Sequence, residues 1–387
     1  MKSIIKNLKT IFTICILVIT ASCSKDESPT SEPNPTPPTD VYIAGATKNA
    51  AGINVPTIWK NGVPTILPSD VNVNTAANKV IVSGNDVYAI NGGFSGLSTG
   101  NSIIIWKNGT IKTEIPNAFA YEFIIDNGNI YILGKENNVS KYWKNGVATI
   151  LGSLAIVASM KISNNDVYVA GYESNGSKYL AKFWKNGEAT TISNPVLDSF
   201  ASEIAINGSD VCVFFKEVST TNTISHKLWK NGLTTTLKSG MLFEPGGGNS
   251  KMIFEANNLH IVSFERLNNT EPIRRKIFYW KNEVITEITT GINFSDCTDL
   301  KVIGSDVYIL GLEKNSGATG KLVLKIWRNG LPTALTDGAT DADFSSSMFV
   351  SANNDIHTFN GNQYFKNNVA TTIPGSSARA LSVFVVN

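Results

Sequence analysis

One phrase recurs along the chain and limits what it can fold into. It reads IWKNGVPTIL at 58–67, YWKNGVATIL at 142–151, FWKNGEATTI at 183–192 and LWKNGLTTTL at 228–237. Further copies centre on Trp106, Trp280 and Trp327, and Phe365 takes the same place in an eighth. All seven tryptophans are used in this way. A unit repeated roughly every 44 residues signals a propeller or a solenoid.

A second phrase alternates with the first: NDVYAI at 85–90, NDVYVA at 165–170 and SDVYIL at 305–310. Weaker copies are GNIYIL at 128–133, SDVCVF at 209–214, NNLHIV at 257–262 and NDIHTF at 354–359. Runs of alternating polarity such as SEIAING (202–208) precede them. Each period therefore parses into four short strands, A to D, with Gly, Asn and Asp at the turns. No segment after residue 40 carries a helical period. Asn-Gly joins C to D, and both residues tolerate the positive φ of a tight hairpin. The asparagine is present in all eight copies, whereas Glu283 and Asn368 replace the glycine. The expected fold is all-β, an eight-bladed β-propeller of four-stranded antiparallel blades. The chain enters at Asp40 on a B strand and ends at 378–387 on an A strand, so the C-terminal strand should close the first blade.

The residue before each tryptophan is large and apolar, and its cross-strand partner is mostly small: Pro64, Ala148, Ala189, Thr234, Pro332, Ala370. That pattern suits interdigitated packing between blades; the alternative is a ring of aromatic platforms for sugars. The basic residue after the tryptophan could form an anion-binding rim. Asp40, Asp86, Asp166, Asp210, Asp306 and Asp355 open the B strands beside it and would cancel that field. The B–C loops do not repeat, and loops on a rigid scaffold carry recognition. The expected ligand-binding patch is there: Arg266, Arg274, Arg275 and Lys276 in ERLNNTEPIRRKI (265–277), with His226 in the preceding repeat and the crossing EPGGGNS (244–250) nearby.

No catalytic set is visible. His260 and His357 occupy the tyrosine position of strand B, where they should pack. The acids of DGATDADF (337–344) lack calcium-loop spacing, and the GGG at 246–248 has no strand–helix context for phosphate. No metal or cofactor is expected: eight-bladed quinoprotein dehydrogenases also repeat a tryptophan motif, but their adjacent cysteine pair is missing.

The first nine residues hold Lys2, Lys6 and Lys9 and no acid, and an uncharged, mostly apolar run follows to residue 22. At about 13 residues the run is short for a membrane span and has the layout of a secretory signal. Residues 28–39 contain five prolines and read as an extended tether. The predicted organisation is a signal at 1–22, a tether at 23–39 and the propeller at 40–387. Without residues 1–22 thirty bases face 31 acids, a net of −1 instead of +2. Near-neutrality excludes a general nucleic-acid or membrane-surface binder. Cys212 and Cys297 alone do not make a disulfide framework.

TASC before and at Cys23 resembles a bacterial lipoprotein signal, and the following SKDES resembles the surface-export signal of Bacteroidota lipoproteins. With repeats of the form DVYxxG…WKNGxxTxL, the chain resembles Bacteroidota propeller-repeat surface lipoproteins. The resemblance implies lipidation at Cys23, an outer-membrane anchor and display at the cell surface. It carries no catalytic motif across. The expected function is thus a monomeric, surface-anchored binding or scaffold module for a glycan or protein partner, without catalysis. The alternative is a carbohydrate-active enzyme with acids at the central mouth, which a linear sequence cannot group in space.

Overall fold

The computed structural model describes residues 39–92, 97–242, 249–317, 320–344 and 346–386. The signal, Cys23, the tether and most of the 244–250 crossing lie outside them. Every regular element among the described residues is a β-strand, and the strands pair antiparallel in eight groups of four, of which the fifth and sixth are joined by the single pair Leu242–Arg266. Each group runs A-B-C-D in chain order, as in Ala155–Ser163, Asp166–Ser174, Tyr179–Lys185 and Glu188–Thr191 of blade 4. Blade 1 is the exception. Its B, C and D strands are Asp40–Lys48, Asn54–Lys60 and Val63–Ile66, and its A strand is the C-terminal Arg379–Val386. Asp40 pairs with Val386 and Val41 with Val385, so the two ends of the propeller close one sheet.

The repeated residues have structural employment. Trp59, Trp106, Trp143, Trp184, Trp280 and Trp327 are buried, and only Trp229 is partly exposed. Each faces the short partner expected of it in blades 1, 3, 4, 5 and 7, for example Trp59 opposite Pro64 and Trp184 opposite Ala189. The indole also ties neighbouring blades together. Trp106 Nε1 donates to the Pro68 carbonyl at 2.8 Å and Trp184 Nε1 to the Leu151 carbonyl at 3.0 Å, both in the blade before. Since indole N–H groups need partners when buried, the tryptophan supplies both area and a directional link.

The turn asparagine does more than accept a positive φ. Asn186 has φ 51°; its Oδ1 accepts the Val167 N–H at 2.8 Å and its Nδ2 donates to Asp166. The same bond, from the residue after the Asp or Asn that opens the DVY phrase, recurs in all eight blades. Lys185 meets Asp166 at 2.8 Å and lies over the Tyr168 ring. Equivalent pairs join Lys60 to Asp40, Lys107 to Asp86, Lys230 to Asp210, Arg328 to Asp306 and Lys366 to Asp355. The cationic rim is thereby neutralised within each of these blades.

His260 and His357 are buried, each with Nδ1 at 2.6 Å from a tyrosine hydroxyl, Tyr279 and Tyr364 respectively. Burial lowers both rings' affinity for a proton, that of His357 to about 4. Cys212 and Cys297 are buried free thiols, and burial pushes Cys212 up to about 12.

Candidate active site

The A strands line the axis of the ring, and their geometry is set by backbone irregularities. In blades 3, 4, 5 and 7 the A–B register slips between Ala120 and Glu122, Val157 and Ser159, Ala201 and Glu203, and Cys297 and Asp299. Blade 1 slips at the matching level, where Ala44 faces Ser382 and Gly45 faces Ala380. Such bulges re-aim the residue that follows. They also explain the glycine of DVYxxG. A Cβ at Gly171 would sit 2.2 Å from the Ile156 carbonyl oxygen, and one at Gly45 would sit 1.9 Å from that of Arg379. The bulged A strand leaves no room for a side chain there.

Directly after the slips, one level of the channel carries a polar residue from every blade: Ser382, Lys79, Glu122, Ser159, Glu203, Lys251, Asp299 and Ser347, in blade order. Lys161 and Lys301 stand two residues further along their strands. The cavity between them has a volume of about 730 Å³, ample for a sugar ring.

These groups are coupled. Glu122 lies 3.7 Å from Lys161, Glu203 3.4 Å from Lys251, and Asp299 3.3 Å from Lys301. Glu122 and Asp299 also act across blade boundaries. Glu122 accepts the Met160 N–H of blade 4 at 2.5 Å, and Asp299 accepts the Met348 N–H of blade 8 at 2.9 Å. Glu203 is 8% exposed, and burial raises its carboxyl pKa, with Lys251 pulling back and Glu122 pushing the same way as burial. Lys251 in turn holds its proton more tightly because Glu203 faces it. The pair as a whole retains protons. Lys79 differs: burial lowers its pKa, Glu122 opposes this, and Lys161 and Lys301 add to it. Its ammonium donates to the Phe123 carbonyl at 2.8 Å.

The residues expected to form a ligand patch lie near one another, with His226 and Arg266 lining one small pocket, but most are taken up by the fold. Arg266 pairs opposite Arg275, and Glu265 opposite Lys276, in the B–C ladder of blade 6. The ladder runs further than the sequence suggests, leaving only residues 267–274 as loop. Arg275 binds Asp296 at 2.7 Å and is sandwiched by the Phe264 and Phe294 rings. Lys276 pairs with Glu287, and Arg266 Nε donates to the Asn268 carbonyl. His226 lies in a strand rather than a loop, 1% exposed against Phe214 and Trp280. Only Arg274 is exposed.

The channel residues were missed by sequence reasoning, although a signal existed. Counting back seven residues from the start of strand B reaches Lys79, Glu122, Ser159, Glu203, Lys251 and Asp299. All are polar in strands that are otherwise largely apolar.

No family model matches the chain, and no curated protein does. Among solved structures it is similar to a puromycin-hydrolysing peptidase of Mycobacterium tuberculosis, at 9% identity and a TM-score of 0.47, covering 78% of this chain and 53% of that one. The β-propeller domain of the Trilobed protease from Pyrococcus furiosus matches at 11% identity and a TM-score of 0.46, covering 77% and 93%. The polysaccharide lyase Uly1 matches at 8% identity and a TM-score of 0.45, covering 80% and 90%. The chain spans about half the length of the first-mentioned peptidase. The expectation of a binding or scaffold module without catalysis is corrected here. It rested on the lack of an acid–base set, whereas three carboxylates and four lysines meet in the channel. The alternative reading, an enzyme with acids at the central mouth, accords better with that convergence.

Proposed function

We propose that the propeller is a carbohydrate-active enzyme that works in its central channel. The observation that supports this reading is the convergence of Glu122, Glu203 and Asp299 from alternate blades at one level of a 730 Å³ cavity. Glycoside cleavage needs two carboxyl groups in different protonation states, and environments that push such groups apart assign the roles. Glu203, buried and proton-retaining, is the proton donor to the leaving oxygen. Glu122 is the opposing carboxylate, fixed by the Met160 N–H and by Lys161. Asp299 holds blade 8 in register through the Met348 N–H. Incubation of the pure protein with a panel of neutral and acidic polysaccharides, with chromatography for shortened chains, tests the reading. Shortening of at least one is expected; intact chains throughout would remove the proposal.

On sequence alone we also propose membership of the Bacteroidota propeller-repeat lipoproteins, with Cys23 lipidated and the propeller held at the outer-membrane surface. Replacing Cys23 by Ser should release the protein from the detergent phase. Unchanged membrane retention would count against the anchor.

A further inference from the structure

At this level of the channel the acids stand on blades 3, 5 and 7, and blades 8, 1 and 2 carry none. Each acid has a lysine within 4 Å. The fourth lysine, Lys79, has no carboxylate at ion-pair distance among the described residues and is held by the Phe123 carbonyl alone. Its neighbours around the ring on the other side are Ser382 of blade 1 and Ser347 of blade 8, both lining the cavity. Two residues further along those strands stand Phe384 and Phe349, which also line the channel. Their ring centroids are 5.5 Å apart and their planes tilted by 50°. Both rings are only partly buried.

The arc of blades 8, 1 and 2 thus presents a cation, two hydroxyls and a pair of aromatic rings. We propose that it is a subsite for a uronate, a sugar whose ring carries a carboxylate. Lys79 takes the carboxylate through a charge-assisted hydrogen bond. Ser382 and Ser347 hydrogen-bond the ring hydroxyls, and Phe349 and Phe384 cover an apolar sugar face. An acidic sugar also resolves the arc's electrostatics, because it supplies the negative charge that Lys79 lacks within a partly desolvated site. A neutral sugar would leave the ammonium with only the Phe123 carbonyl as a hydrogen-bond partner among the described residues. This inference rests on the glycan reading above, and it assigns the substrate class that reading leaves open.

Calorimetric titration of the full chain with a tetra-uronate, a neutral tetrasaccharide of the same linkage and inorganic sulfate tests it. The acidic sugar should bind at least about tenfold more tightly than the neutral one. Lys79→Met should abolish that preference and leave neutral-sugar binding unchanged, while Lys79→Arg should keep it. Matching melting curves show that the variants are folded. Equal affinity for both sugars, an unaffected Lys79→Met, or sulfate binding as tightly as the tetra-uronate would overturn the subsite. The two proposals fail separately. A preference for uronate without cleavage of any chain keeps the subsite and removes the enzyme, whereas cleavage of neutral chains without that preference does the reverse.

Discussion

The indole N–H of Trp59 donates to the Pro374 carbonyl at 2.7 Å, across the seam where the first blade meets the last. The two residues are 315 positions apart, and the bond repeats at the closure what Trp106 and Trp184 do between consecutive blades. The seam is therefore built like the junctions between blades 1 and 2 and blades 3 and 4, with a strand from the far end of the chain completing its sheet.

Deleting residues 378–387 should consequently damage the whole ring. It removes the buried Ala380, Leu381, Val383 and Val385 and exposes the Asp40–Lys48 edge. Thermal melting should shift down by more than for Trp59→Phe, which loses one hydrogen bond worth about 1 kcal/mol and part of one buried ring. A truncated protein that melts like the intact one would contradict the closure.

The turn asparagines make a finer claim. Asn186→Ala loses the bond to the Val167 N–H and puts alanine, which tolerates left-handed backbone less well than asparagine, at φ 51°. Left-handed backbone costs roughly 1–2 kcal/mol and the lost bond about 1 more. Asn186→Gly should recover the backbone part only. Chemical denaturation should therefore rank wild type above Gly above Ala; equal stability of the two variants would sink the conformational share.

Gly171→Ala addresses the bulges. The added Cβ would lie 2.2 Å from the Ile156 carbonyl oxygen, so the A strand of blade 4 must shift. Because overpacking costs typically 1–3 kcal/mol, a melting midpoint lowered by several degrees is expected. Gly176→Ala, whose Cβ meets nothing within 4 Å, should cost less despite its positive φ.

Acid should weaken the fold through His357. An unfolded histidine protonates near pH 6.5, whereas burial, reinforced by Lys366, keeps this ring neutral down to about 4. Its contribution is complete above pH 6.5 and lost as pH falls from 6.5 to 4, up to about 3 kcal/mol. His226 and His260 are displaced in the same direction and add to the slope. His357→Gln should flatten the decline of the melting midpoint over that window; an undiminished slope would show that His357 does not carry it.

Much of the fold is legible because its determinants are local. Asn186 and Gly187 specify a hairpin on their own, and Trp184 facing Ala189 follows from counting across that turn. The closure was legible too, since the unpaired B strand at Asp40 and the unpaired A strand at its end define each other. The channel was not. Glu122, Glu203 and Asp299 are roughly two repeats apart, and each sits in the least repetitive strand of its blade; only the ring brings them together. The blade 6 arginines misled for the opposite reason. Arg266, Arg274 and Arg275 cluster in sequence, yet the ladder turns Arg275 inward onto Asp296 and Phe264, and a run of like charges does not reveal which members the fold will neutralise.

Turnover of a responsive polysaccharide by Glu203→Gln tests the central claim most directly, with Glu188→Gln, an exposed acid on an outer strand, as its control. Removing a positioned general acid typically costs 10²–10⁴-fold in rate. The account predicts a kcat at least about a hundredfold lower for Glu203→Gln, an unchanged melting midpoint, and full activity for Glu188→Gln. A Glu203→Gln protein that cleaves as fast as wild type would contradict catalysis by this carboxylate in the channel.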